Sequence, residues 1–328
     1  MYTGRSLNAA IKAVADMAEE VSLHTSGTAS GYTKKSEATG DPVMDMWLGF
    51  PGHLRRMRRR GDWERAADLN VESHVSLQGV VTTSRSQRSA RQTTLSWERL
   101  SEEDADFLEE IALTSPQPDG TVAVVDPDAV QRNLLTAEHS RGRPSPGYQS
   151  AATEHLHGVS GAGTMAVGMY KGMRVMCTRG VESGTEISWR HAYYGDRGWP
   201  VMPGWPVYFA ADTEDTVMGF GRVRLKFHDW DGNVLKSAAG EDGSGMCEAD
   251  APDGSAFVSP RLVLTDDVPD LEMLGAARMA YAKFDAEDYR PLGNGCPVYS
   301  VVGYSVEPFM PWRGVSIELQ EVRSHAYR

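Results

Sequence analysis

The chain has 328 residues, 41% of them hydrophobic, with 33 glycines and 17 prolines, which is enough for two domains with cores of their own. The 45 acidic side chains against 33 basic ones leave a net charge of −12, which works against sequence-independent binding to a nucleic-acid backbone. Cys177, Cys247 and Cys296 lie far apart with no CxxC pair, so no zinc site or disulfide framework is indicated and a reducing compartment fits.

In chain order, residues 6–22 predict an amphipathic helix. Ser6 can cap it, and Leu7, Ile11, Val14, Met17, Ala18 and Val21 fall on one stripe. Asp16, Glu19 and Glu20 stand where a secretory signal would need an apolar core, so no signal peptide is read here. No apolar run long enough for a membrane span follows anywhere. Residues 24–42, rich in Ser, Thr, Gly and Lys, predict a mobile arm.

MWLGFPG (46–52) is an apolar patch ended by a Pro-Gly turn, and Arg55-Arg56-Met57-Arg58-Arg59-Arg60 follows as a basic run. That run is either a solvated face or a contact with an acidic partner surface. Residues 74–84 alternate and predict a strand, and RQTTLSWERL (91–100) predicts a second, with Leu95 and Trp97 on one face. Ser101 then caps a helix, with Asp104 as its capping-box partner and Phe107, Leu108 and Ile111 as its apolar side. A strand at 121–125 stops at Asp126-Pro127. The first half therefore predicts an α+β layer, a sheet with one packed helix.

Residues 141–163 predict a linker. From 164 onward, strands are expected over 164–169, 173–178, 185–193, 206–211, 217–228, 233–237, 256–265, 276–284, 297–306 and 314–322. Short strands at such spacing predict a β-sandwich of jelly-roll type. The expected fold is thus mainly β: an N-terminal helix and arm (1–45), a β domain with one helix (46–140), the linker, and a sandwich over 164–328.

RLKFHDWDGNVL (224–235) tests for metal chemistry. Asp229, Asp231 and Asn233 occupy positions 1, 3 and 5 of a calcium loop, but Val234 replaces the required glycine and Gly240 the bidentate glutamate. The flanks alternate, so this reads as a hairpin with Asp231-Gly232 at its turn. His155 and His157 would share one face of a strand, but no third metal ligand accompanies them, and they read as surface loop. Asp212, Glu214 and Asp215 cluster after a strand and read as a solvated loop, with glycoside hydrolysis the sharper alternative. No P-loop, dinucleotide fingerprint or nucleophile elbow is present. No catalytic, cofactor or metal residue is assigned.

GWPVMPGWP (198–206) places Trp199 and Trp205 in a Pro/Gly-stiffened turn. Exposed indoles there would stack on sugar rings; buried ones would fill the sandwich core or pack between subunits. Tyr193, Tyr194, Trp230, Phe309 and Trp312 are further aromatic candidates.

Three stretches, MWLGFPG, TTLSWERLSEEDADFLEEIAL and VVDPDAVQRNLLT, resemble the N-terminal region of minor tail proteins of tailed phages that infect actinobacteria. Ser96-Trp97, the helix from Glu102, Asp126-Pro127 and Asn133-Leu134-Leu135 carry that resemblance. VRLKFHDWDGNVL, ARMAYAKF and the ending GNGCPVYSVVGYSVEPFMPWRGVSIELQEV are similar to the family's C-terminal sandwich. The two-domain plan resembles distal tail proteins, with a ring-building β domain and a galectin-like or carbohydrate-binding-like sandwich. The resemblance implies a virion protein of the tail tip without catalysis or cofactor. It would be made in the host cytoplasm and form a ring of six or three copies that joins the tail tube, beside tape-measure and tip proteins. Trp47, Leu48, Phe50, Arg55, Arg56, Arg58, Arg59 and Arg60 are then candidate interface residues. A receptor-binding protein that holds host cell-wall glycan through Trp199 and Trp205 is the alternative.

Overall fold

A computed structural model describes residues 45–58, 63–68, 71–75, 80–85, 90–113, 121–125, 133–143 and 157–322, except 215, 242, 270, 285–295 and 310. The helix and arm expected over 6–42, and the Asp126-Pro127 stop, lie outside the described residues.

The first lobe opens with β1 (Asp45–Phe50) and β2 (His53–Arg58), joined by the Pro51-Gly52 turn. Then come β3 (Trp63–Asp68), β4 (Val71–Val75), β5 (Val81–Arg85) and the long β6 (Ala90–Leu100). The strand expected over 74–84 is instead most of a hairpin, β4 paired with β5, because alternation carries no mark of where a strand folds back. Helix α1 (Glu102–Leu113) begins where expected, with the Asp104 N–H donating to Ser101 Oγ at 3.2 Å and Ala105, Leu108 and Ile111 buried. Strand β7 (Thr121–Val125) is buried along its whole length.

Helix α2 (Ala137–Arg141) ends the expected first domain and reaches the expected linker only at Arg141, while the strand His157–Ser160 lies within that linker. Its cap Gly142 has φ 58°, and a Cβ there would collide with the Gly275 carbonyl, so only glycine fits this close approach. The second lobe follows: β8 (His157–Ser160), β9 (Thr164–Tyr170), β10 (Met173–Arg179), β11 (Glu186–Trp189), β12 (Trp199–Pro200), β13 (Pro206–Ala211), β14 (Gly221–His228), β15 (Val234–Ala239), β16 (Met246–Asp250), β17 (Phe257–Leu264) and β18 (Ala277–Ala280). Sequence reading missed β8, β12 and β16, which are four, two and five residues long and leave no room for a period to show. Strand β19 (Val298–Phe309) and β20 (Trp312–Val322) form a closing hairpin.

The second lobe is a sandwich. One layer runs β15-β14-β17-β11-β8 with β12 beside β17, and the other runs β16-β13-β18. Val223, Leu225 and Phe227 from β14 and Val258, Leu262 and Leu264 from β17 point into the space between them, where Val207 and Phe209 of β13 meet them.

The closing hairpin does not belong to that sandwich. The first lobe's seven-stranded sheet runs β2-β1-β7-β19-β20-β6-β3. The expected domain division at 164–328 is therefore corrected: the sandwich is inserted into the first lobe, and 298–322 returns to complete it. Only residues 59–62 separate the two edge strands β2 and β3 in sequence, a link that spans at most about 19 Å. A flat seven-stranded sheet would hold its edges about 29 Å apart, so this sheet is strongly curled. Its inner face holds Met46, Leu48, Phe50, Leu95, Trp97, Ile317 and Leu319 against Leu108 and Ile111 of α1. Its other face, through Trp47, Leu54, Ala123 and Val125, is continuous with the sandwich core. The molecule is mainly β, and its lobes share an apolar cluster on that second face of the sheet, while the α1 side forms a cluster of its own.

Candidate interaction surfaces

The expected interface residues fall along β1 and β2. Trp47, Leu48 and Phe50 are 5%, 0% and 7% exposed, so the apolar patch is interior and these three are corrected from interface to core. Leu48 and Phe50 face α1, while Trp47 faces the sandwich and meets Trp205 edge-on at 5.1 Å between ring centroids. Arg55 is engaged within the chain. Its guanidinium lies 2.8 Å from Glu103 and 2.9 Å from Asp104 at the start of α1, with Phe107 beneath it. Arg56 is half-buried and Arg58 belongs to β2. The Arg58 side chain and all of Arg59 and Arg60 lie outside the described residues.

Trp199 and Trp205 are 0% and 2% exposed, which removes both as sugar platforms. The Pro/Gly-stiffened turn aims them inward. Trp199 donates from Nε1 to the Leu134 carbonyl at 2.8 Å, and Trp205 sits edge-on to Tyr281 at 4.8 Å. His191 stands beside Trp199, buried, with its Nδ1 3.1 Å from the N–H groups of both Tyr193 and Tyr194. Nδ1 therefore accepts, which leaves Nε2 to donate to the Cys296 carbonyl at 2.7 Å. Burial pushes the His191 pKa down to about 4, so the ring is neutral. Burial likewise pushes the Cys296 thiol up to about 12 and Cys247 up to about 11. All three cysteines are free and buried.

Asn133 lies where the first lobe meets the second. Its Nδ2 donates to Ser140 Oγ and the Ala277 carbonyl, and its Oδ1 accepts from the N–H groups of Leu135 and Met279. The Asn-Leu-Leu stretch thus has a structural task, a buried clamp between the segment before α2 and β18. Asp212 also serves locally, with Oδ1 accepting from the Glu214 N–H at 3.2 Å; Asp215 lies outside the described residues. The β14–β15 turn is a hairpin, with Gly232 at φ 90°. Asp229 caps it, accepting from Asn233 N at 2.8 Å and Asn233 Nδ2 at 2.9 Å, and the Asn233 amide holds its pKa below the usual range. His157 is interior on β8 rather than on a surface loop, edge-on to Trp189 at 5.8 Å; residues 154–156 lie outside the description. No group of three or more potential metal ligands gathers among the described residues.

What sequence reading did not single out is the outer face of the β14–β17–β11 layer. Because Val223, Leu225 and Phe227 point inward, Arg222, Arg224 and Lys226 point outward, beside Arg261 of β17 and Glu186 of β11. Glu186 receives Lys226 Nζ at 2.7 Å and Arg261 Nη1 at 3.2 Å. Asp196, in the following loop, accepts two bonds from Arg190, at 2.9 and 2.8 Å, and one from Ser188 Oγ at 3.1 Å. Burial alone would raise the Asp196 pKa, but the Arg190 pair holds it below the usual range. Burial lowers the pKa of Arg261 against the opposing pull of Glu186. The signal was available in sequence, as three cations at alternate positions of one strand.

Apolar side chains also stand exposed. Val75, Val80 and Val81 of the β4–β5 hairpin are 68%, 57% and 61% exposed, and Trp312 at the start of β20 is 44% exposed. No helix among the described residues is long and apolar enough to cross a membrane.

No protein-family model and no curated protein matches the chain. Among solved structures, one of infectious bursal disease virus, Gx strain, aligns over 90% of this chain and 75% of that one at 9% identity. Its TM-score of 0.17 lies below any level that carries an argument about fold or role.

Proposed function

We propose that this chain is a structural protein of a phage tail tip, of the distal or minor tail type, that assembles with copies of itself into a ring between tail tube and tip. The observation that supports this is the state of the first lobe's sheet. Its edge strands β2 and β3 each pair on one side only among the described residues, and the β4–β5 hairpin carries three exposed valines. Open edges and exposed apolar hairpins are a hazard in a monomer and a ready surface for a neighbour. Two unlike edges on one subunit suit a heterologous contact, which closes when the rotation between copies divides a full turn. The family resemblance of Ser96-Trp97, α1 and the closing hairpin gives the direction of this reading. Proximity to the tape-measure protein and residence in the virion belong to the same proposal.

The test is native mass spectrometry of the purified chain across concentration, with class averages from negative-stain micrographs. Closed cyclic particles of three or six copies are expected. A chain that stays monomeric at every concentration, with no annular particles, counts against the ring.

A further inference from the structure

We infer that residues 6–22 of one copy of this chain dock, as an amphipathic helix, on the β4–β5 hairpin of a neighbouring copy. This rests on the ring reading and names one contact within it. The two strands of the hairpin form a sheet of their own, with no third strand among the described residues. Val75 and Val81 stand directly opposite each other, so their side chains share one face, and they are 68% and 61% exposed. A two-stranded hairpin alone in water is marginal, and a further strand or a packed helix is what completes it.

The chain supplies such a helix ahead of β1, outside the described residues. Leu7, Ile11, Val14, Ala18 and Val21 recur there at helical spacing, and Lys12, Asp16, Glu19 and Glu20 fall on the opposite side. A helix of that length runs about 25 Å, enough to lie along a five-residue strand of about 17 Å. Like the hairpin, a single helix of this size gains its stability from packing its apolar stripe. The way the segment joins the fold selects a neighbour as its host. Strand β1 begins at Asp45, and the antiparallel pairings through β7, β19, β20 and β6 to β3 put that start at the same end of the sheet as Asp68 and Ala90, between which the hairpin is inserted. The way back to the chain's own hairpin is therefore within the sheet's breadth, about 29 Å even if flat. Residues 23–44 span about 75 Å when extended, more than twice that breadth. A link of this length reaches the next subunit, and each copy then offers one helix and one hairpin, which is a heterologous contact.

The test is a disulfide between full chains. Val14→Cys is made in one preparation and Val81→Cys in another with a tag of different mass, and the two are mixed and oxidised; the native cysteines are buried. A bond between positions 14 and 81 of different chains is expected by peptide mass spectrometry. None is expected when the Val14→Cys chain is mixed with a Leu113→Cys chain, although that position is equally exposed. Two double variants read the strength of the contact: Ile11→Ser with Val14→Ser, and Val75→Thr with Val81→Thr, which keeps β propensity. Each is expected to weaken association about tenfold, with circular dichroism and a thermal melt to show that it folds. Where a double variant does not melt cooperatively, the disulfide decides alone. A bond that forms only inside a chain carrying both cysteines puts the helix on its own hairpin and overturns the contact, as does equal bridging to position 113. Association unchanged in both double variants overturns it too and leaves the ring reading standing. A wild-type chain that never associates removes the ring itself and this contact with it.

Discussion

At the scale of single residues, the molecule turns Trp47, Trp199, Trp205 and His191 inward. Trp199 is fully buried and gives its indole N–H to a backbone carbonyl, so Trp199→Ala leaves a cavity and an unpaired acceptor. A loss of about 3–5 kcal/mol is expected from urea melts, with no change that is specific to sugar binding. His191 gives the molecule a pH dependence. Its folded pKa of about 4 lies below the ordinary value of 6.5, so the unfolded chain binds more protons between those limits. Stability from keeping this ring neutral is complete above about pH 6.5 and is lost as pH falls toward 4, by about 3 kcal/mol in all. Urea midpoints at pH 7.5 and 5 should therefore fall further apart in the wild type than in His191→Gln. Equal separations would mean that other groups carry the acid sensitivity.

At the scale of elements, α1, β6, β7 and the β14–β15 hairpin were legible in the sequence because each carries a local signal. Those signals are the Ser101 cap, the alternation through Leu95 and Trp97, the run of valines, and Asp231-Gly232. The indoles of 198–206 were legible as a feature but not in direction, since a stiff turn exposes or buries its side chains according to what packs above it. The apolar patch at Trp47, Leu48 and Phe50 failed as an interface for a related reason: a strand buried on both faces and a surface patch share one composition. The partner of β7 was not legible at all. Nothing local in VVGYSV says whether it joins the sandwich before it or a sheet far upstream.

That placement predicts the behaviour of a fragment. Residues 45–143 contain all that the sequence marks as a first domain, yet they lack β19 and β20, the strands between β7 and β6. The fragment is expected to show no cooperative thermal transition by circular dichroism, in contrast to the full chain. A sharp melt of the fragment would mean that β6 and β7 find another arrangement.

At the scale of the whole molecule, charge and topology have separate roles. The net −12 conceals three cations at alternate positions of β14 and an acidic first turn on α1, and the average says little about either. The inserted sandwich shares its core with the first lobe through Trp47, Trp205 and Cys296, so the two are expected to unfold as one unit rather than in sequence.

The closing hairpin also bears on synthesis. Ser96 meets Ser316 across 220 residues of chain, and at about 5–20 residues per second a ribosome needs tens of seconds to supply that partner. During that interval β6 and β7 wait with unfilled sides, while the sandwich that follows them is made. Non-local pairing of this kind is slow to form and exposes apolar surface to aggregation. A ribosome that stops short of residue 312 releases a chain that lacks the strand β6 needs. Completion of the first lobe therefore reports that translation has passed that point, and incomplete chains lack the finished sheet on which a ring would be built.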